Sequence, residues 1–73
     1  MERKIDITIC SDLDYENLIA EISVNNRFIG LVTNEPDKGV CFEIPKGQVS
    51  FESIELCIFI DALNEARKRI SNS

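Results

Sequence analysis

Residues 15–35, YENLIAEISVNNRFIGLVTNE, decide the fold of this chain. Two segments rich in apolar residues, 15–24 and 27–35, flank the dipeptide Asn25-Asn26. Asparagine tolerates the positive φ angles that a two-residue type I′ turn requires. The stretch therefore predicts two antiparallel strands joined by a tight turn.

The turn also sets the register of this hairpin, and the register assigns its two faces. We pair Val24 with Arg27, so that Ile22 opposes Ile29 and Ala20 opposes Leu31. Because cross-strand partners point to the same side of a sheet, the pairing predicts one core face and one mixed face. The predicted core face holds Leu18, Ala20, Ile22, Val24, Ile29 and Leu31. The mixed face holds Ile19, Glu21, Ser23, Phe28, Gly30 and Val32.

Regular patterns on either side of the hairpin extend the sheet. Isoleucines alternate with other residues over residues 4–10, which is the period of a strand with one buried face. Residues 35–39, EPDKG, are turn formers and predict a second hairpin, with a strand at about 40–45. Pairing Glu35 with Val40 places three more side chains on the core face, namely Val40, Phe42 and Ile44. Val49 and Phe51 leave a short fifth strand as an open alternative.

The sequence pattern becomes helical from about residue 53. Apolar residues recur there at helical spacing, and polar residues fill the opposite side. The apolar stripe consists of Leu56, Phe59, Ile60, Leu63, Ala66 and Ile70. We predict an amphipathic helix over about 53–71, with Ser53 as its N-cap and Ile58 on the side away from the core. The whole pattern predicts an α+β fold, in which a four-stranded antiparallel meander carries one C-terminal helix on one face.

Length and composition are those of one small folded domain. The chain has 73 residues, 44% hydrophobic and 29% charged, so we treat 1–73 as a single unit. The longest apolar run, residues 56–60, is far shorter than a membrane span, and the N-terminus lacks the apolar region of a signal peptide. The three cysteines share no CxxC spacing. These features predict a soluble protein of the reducing cytoplasm.

The charge balance indicates which partners are favoured. The chain has 8 Lys and Arg against 13 Asp and Glu, a formal charge of -5. This sign disfavours nucleic acid, whose phosphates are bound by cations. It favours association with a basic partner, because opposite charges speed the encounter.

The sequence contains no pattern typical of a catalytic, metal or cofactor site. It has no histidine, which excludes imidazole bases and histidine-containing zinc sites. The spacing Asp12-x-Asp14-x-Glu16 resembles the start of a calcium loop but lacks the glycine and the bidentate glutamate that follow in such loops. The three glycines are scattered and form no phosphate-binding loop. We therefore predict a protein that is not an enzyme, with no catalytic residue, metal or cofactor.

Two groups of residues are candidates for contact with a partner protein. The first is the set of carboxylates in the predicted turns: Asp12, Asp14, Glu16, Glu35 and Asp37. The second is the sheet face that a single helix leaves uncovered, with Ile19, Phe28, Val32 and Cys41. The alternative is a structural module in which self-association, for example as a homodimer, buries that same face.

Four segments of the chain resemble a known family. They are YENLIAEI at 15–22, RFIGLVTNE at 27–35, FEIP at 42–45 and IDALNEARKRI at 60–70. Their order is similar to that of the immunity protein 10 family of bacterial polymorphic toxin systems. The resemblance implies a small bacterial antitoxin-like protein that binds and neutralises a cognate toxin. It implies no catalytic residue. The formal charge of -5 favours a toxin that is basic.

Overall fold

The sheet and helix follow the predicted order. The computed structural model describes residues 4–47 and 53–71. Its elements are β1 (Ile5–Cys10), β2 (Ile19–Val24), β3 (Arg27–Glu35), β4 (Gly39–Glu43) and α1 (Leu56–Ser71). The four strands pair antiparallel in the order β1-β2-β3-β4, and α1 packs against them. This confirms the α+β fold class, while the alternative strand at Val49 and Phe51 lies outside the described residues.

The tight turn at Asn25 and Asn26 has the predicted backbone conformation. Their φ angles are 50° and 68°, and Val24 pairs with Arg27 as predicted. The turn is also fixed to the start of β1. Asn25 donates its N–H to the Lys4 carbonyl at 2.7 Å, and the Lys4 N–H donates to Asn25 Oδ1 at 3.0 Å. The turn residues thus tie the first three strands together at this end of the sheet.

A β-bulge makes the predicted register of β2 and β3 wrong beyond the turn. Ser23 pairs with Phe28, but Ile22 pairs with Gly30, so Ile29 is an extra residue on β3. Ala20 therefore opposes Val32 instead of Leu31. The bulge turns Val32 towards α1 and Leu31 to the opposite face, which reverses the prediction for both.

Gly30 allows β3 and β4 to approach closely beside this bulge. Its φ is +151°, and a Cβ placed there would lie 2.5 Å from Phe42 Cζ and 2.9 Å from the Glu43 carbonyl oxygen. Only glycine leaves that space for the Phe42 ring. The β3–β4 pairing is one residue away from the prediction, with Glu35 opposite Gly39. The bulge had already exchanged the two faces of this part of β3. The two one-residue shifts therefore cancel, and Phe42 still faces the helix as predicted.

The helix begins at Leu56, later than predicted, and is rotated. The Phe59 N–H donates to the Glu55 carbonyl at 3.1 Å, so Ser53 does not serve as the N-cap. The buried helical residues are Ile58, Ala62, Ala66 and Ile70. Ile58, predicted to face away, therefore belongs to the core, whereas Leu56 and Ile60 are exposed. Ala62 and Ala66 lie at the centre of the contact between α1 and the sheet. Their small side chains let the helix lie close to the strands.

The core lies between α1 and the first three strands. It contains Ala20, Ile22, Val24, Ile29 and Val32, with Ile5, Ile7 and Ile9 of β1 packed against them. β4 contributes Phe42, whose ring meets Phe59 edge to face with centroids 5.5 Å apart. Leu18, Val40 and Ile44, which we predicted to be core, are exposed. Val40 and Ile44 stay exposed because the helix packs on β1, β2 and β3 and leaves β4 largely uncovered. Within 4–47 and 53–71, no helix is long and apolar enough to cross a membrane.

The opposite sheet face is not the open apolar surface that we predicted. Ile19 lies on that face and is only 1% exposed. Val32 lies on the face that α1 covers and is 3% exposed. Phe28 and Cys41 are half-buried. The prediction that these residues are exposed is therefore wrong for Ile19 and Val32. For Val32 the reason is the bulge, which turns the side chain towards α1.

Candidate partner-binding site

Two acidic turns meet at one end of the sheet. In an antiparallel meander, the β1–β2 loop (residues 11–18) and the β3–β4 turn (residues 36–38) lie at the same end. The Glu35 carboxylate joins them. Its Oε1 accepts the Glu16 N–H at 2.7 Å, and its Oε2 accepts the Asn17 N–H at 2.9 Å. These bonds explain why β2 begins at Ile19 rather than near Tyr15, since the backbone of the preceding residues is bonded across the end of β3.

The tip of the β1–β2 loop is a tight turn that presents a leucine to solvent. Asp12 Oδ1 accepts the Asp14 N–H at 2.9 Å, and the Asp12 carbonyl accepts the Tyr15 N–H at 3.1 Å. This is the local bonding expected of aspartate at the start of a turn. Leu13 at the corner is fully exposed. A large apolar side chain is thus held in water between two carboxylates.

Tyr15 fixes the loop over the face of the sheet that α1 does not cover. Its hydroxyl donates to Glu43 Oε1 at 3.0 Å, and the Thr33 hydroxyl donates to Glu43 Oε2 at 2.9 Å. Since Glu43 lies on β4, the Tyr15 side chain crosses β3, where Thr33 is fully buried. Burial raises the pKa of Tyr15, and the hydrogen bond and charge of Glu43 raise it further. The phenol therefore stays protonated as a donor.

The loop and the turn enclose a shallow depression of about 380 Å³. Its lining includes Leu13, Tyr15, Pro36 and Lys38 together with four of the five predicted carboxylates, Asp14, Glu16, Glu35 and Asp37. The fifth, Asp12, is bonded to Asp14. We call Asp12, Leu13, Asp14, Glu16, Glu35 and Asp37 the acidic end. Glu35 differs from the others because both of its oxygens already hold the loop.

The apolar candidates from the sequence do not join this surface. Phe28 is half-buried beside the Asn25-Asn26 turn, at the opposite end of the sheet from Asp14 and Asp37. Ile19 and Val32 are buried on opposite faces.

Sequence analysis missed three residues that shape the site: Leu13, Tyr15 and Glu43. A signal for Leu13 was present, since a leucine between two turn-forming aspartates is placed at an exposed corner. Nothing local indicates the pairing of Tyr15 with Glu43, because 28 residues separate them. The apolar contact and the support of the acidic end therefore emerge from the folded structure.

The chemistry available at this end of the sheet is that of carboxylates. Within 4–47 and 53–71, no three Asp, Glu, Cys or His side chains are grouped so as to hold a metal ion. Burial raises the pKa of the nearby Cys10 thiol, and the charges of Glu21 and Asp12 add to the effect. A raised pKa disfavours the nucleophilic thiolate. The arrangement suits attraction of cationic groups around an apolar contact.

Comparison with known proteins gives no match of this chain to a family model, to a curated protein or to a solved structure.

Proposed function

We propose that this chain is a non-catalytic binding protein whose acidic end docks on a basic surface of a partner protein. The observation that carries the proposal is the fully exposed Leu13 among the carboxylates of that end. Binding energy in protein interfaces concentrates in a few desolvated anchors surrounded by polar residues. Leu13 has the position of such an anchor, and the carboxylates steer and orient the partner.

The hydrogen bonds of the loop support this proposal. Glu35 accepts two backbone N–H groups, and Tyr15 is bonded to Glu43. A loop held in its binding conformation loses little entropy on association. The bonds thus favour tight binding by a short segment that would otherwise be flexible.

The form of activity that we propose is that of an immunity protein. The chain would occlude a surface of a basic toxin in the bacterial cytoplasm and so neutralise it. The support is the resemblance of the four sequence segments together with the acidic end. The alternative, a self-association module acting through Ile19, Phe28 and Val32, is weakened because Ile19 and Val32 are buried.

The test is binding of the purified product of the adjacent gene, with kinetics at two salt concentrations. Asp14→Lys and Asp37→Lys should each slow association, and Leu13→Ser should speed dissociation, by about tenfold or more. Asp6→Lys is the matched control, since Asp6 is an exposed carboxylate on β1 outside the acidic end. An effect of Asp6→Lys equal to that of Asp14→Lys, or an association rate indifferent to salt, would refute docking through the acidic end.

A further inference from the structure

A second surface lies beside the helix, above β4. Strands are spaced about 4.8 Å apart, so a four-stranded sheet extends about 14 Å between its outer strands, while a helix is about 10 Å wide. One helix cannot cover such a sheet. Here α1 packs on β1, β2 and β3. The helix-facing side of β4 is therefore largely uncovered along one flank of α1.

Exposed apolar side chains gather along that gap. Among the described residues, six large apolar side chains are exposed, and four of them lie on α1, on β4 or directly after β4. Val40 is 48% exposed on β4 and Ile44 56% just beyond it, while Leu56 is 67% and Ile60 46% exposed on α1. Leu56 lies one turn before Phe59, the helical residue that contacts β4, and Ile60 lies one turn after Leu56. We call these four residues, with Phe42 and Phe59 at their base, the β4 groove.

Two basic side chains of α1, Arg67 and Lys68, lie at one end of the β4 groove. A depression of about 650 Å³ there is lined by Val40, Asn64, Arg67, Lys68 and Ser71. None of these lining residues is acidic, although the chain as a whole has a formal charge of -5. An occupant of the β4 groove must therefore bring apolar side chains for Val40 and Ile60 and carboxylates for Arg67 and Lys68.

We propose that the β4 groove binds an acidic amphipathic helix of a partner protein. The gap lies above the sheet and beside α1, where a second helix would sit at the 8–10 Å spacing typical of packed helices. Its apolar stripe would cover Val40, Ile44 and Ile60, and its carboxylates would meet Arg67 and Lys68. A strand added to the β4 edge would instead leave Leu56 and Ile60 in water.

A second copy of this chain fits the gap less well. The apolar face of its α1 is already buried against its own sheet. In a dimer that pairs the two β4 edges, each helix would be centred near its own β2. The two helices would then lie about five strand spacings apart, roughly 24 Å, which is too far for either to cover the flank of the other. The gap therefore favours a helix from a different protein.

The experiment is a nuclear magnetic resonance titration of the isotope-labelled chain with two synthetic peptides of about 16 residues. Both peptides have the same leucine stripe, and their flanking residues are glutamate in one and lysine in the other. The glutamate peptide should shift the amide resonances of Val40, Ile60 and Arg67 and bind at least about tenfold more tightly than the lysine peptide. Arg67→Glu should remove this preference. Arg27→Glu, which reverses an exposed charge at the opposite end of the sheet, should not.

Ile60→Asp should abolish the shifts, and thermal unfolding by circular dichroism checks that this exposed substitution leaves the fold intact. Leu13→Ser, in the acidic end, should leave peptide binding unchanged. Equal binding of the two peptides, or shifts confined to residues outside the β4 groove, would overturn the proposal. So would a concentration-dependent dimer in sedimentation whose contacts map to Val40 and Ile60, since the occupant would then be a second copy.

Discussion

Replacing Gly30 by alanine tests the close approach of the Phe42 ring to β3. The new Cβ would lie 2.5 Å from Phe42 Cζ, 2.7 Å from Phe42 Cε1 and 2.9 Å from the Glu43 carbonyl oxygen. The Phe42 ring can rotate away, but the Glu43 backbone is held in β4 by its pairing with Leu31. The substitution must therefore displace a ring and strain a strand pair.

The magnitude follows from two contributions. A non-glycine residue at an unfavourable positive φ costs about 1–3 kcal/mol, and Gly30 has a φ of +151°. Loss of the edge-to-face contact between Phe42 and Phe59 costs about 0.5–1.5 kcal/mol more. We therefore expect Gly30→Ala to lower the free energy of unfolding by about 1.5–4.5 kcal/mol, a large fraction of the stability of a small domain.

Urea denaturation followed by the circular dichroism of α1 measures this change. Gly39→Ala is the matched control, since Gly39 has a φ of +75° but no atom within 4 Å of the position that a Cβ would take. It should show the backbone cost without the overlap. If the two variants lose the same stability, the close approach of Phe42 to β3 is not what requires glycine. In a Phe42→Ala background, the cost of Gly30→Ala should also shrink, because one of its two steric partners is gone.

Three further predictions follow from named contacts. Ile58→Ala should lower the free energy of unfolding by about 2–4 kcal/mol, whereas Ile60→Ala should change it by less than about 0.5 kcal/mol; the reverse order in urea denaturation would mean that the helix is rotated as the sequence predicted. Tyr15 is the only tyrosine, so the phenolate absorbance of the native protein should titrate above the usual pKa, and Glu43→Gln should move the midpoint down. Because the folded pKa is raised, this stabilisation is complete below the pKa of unfolded tyrosine, about 10, and is lost as pH rises through the folded value. Glu35→Gln should cost about 1–3 kcal/mol and speed hydrogen exchange at the Glu16 and Asn17 amides, while unchanged exchange there would mean that Glu35 does not hold the loop.

The positions of the acidic residues in turns were predictable, but their meeting was only partly so. Asp12 and Asp14 form a turn because aspartate bonds to its own backbone, which is a local effect. Glu35 binds the backbone of Glu16 and Asn17, which precede it by 19 and 18 positions. No local pattern in the sequence encodes these hydrogen bonds. The exposed Leu13 becomes a candidate contact residue only because the fold places the second turn beside it.

By itself, the sequence determined the elements of this protein: the turn at Asn25 and Asn26, the alternation of β1 and the helix to Ser71. These features depend on φ preferences and on the spacing of apolar residues, both of which act over a few neighbouring positions. Tertiary structure decided the faces of Leu31 and Val32 and the rotation of the helix. The bulge at Ile29 accompanies the approach of Phe42 to Gly30, and the rotation of α1 follows from its close contact through Ala62 and Ala66. Such contacts join strands and helix across the fold, so packing between distant residues overrode the local pattern.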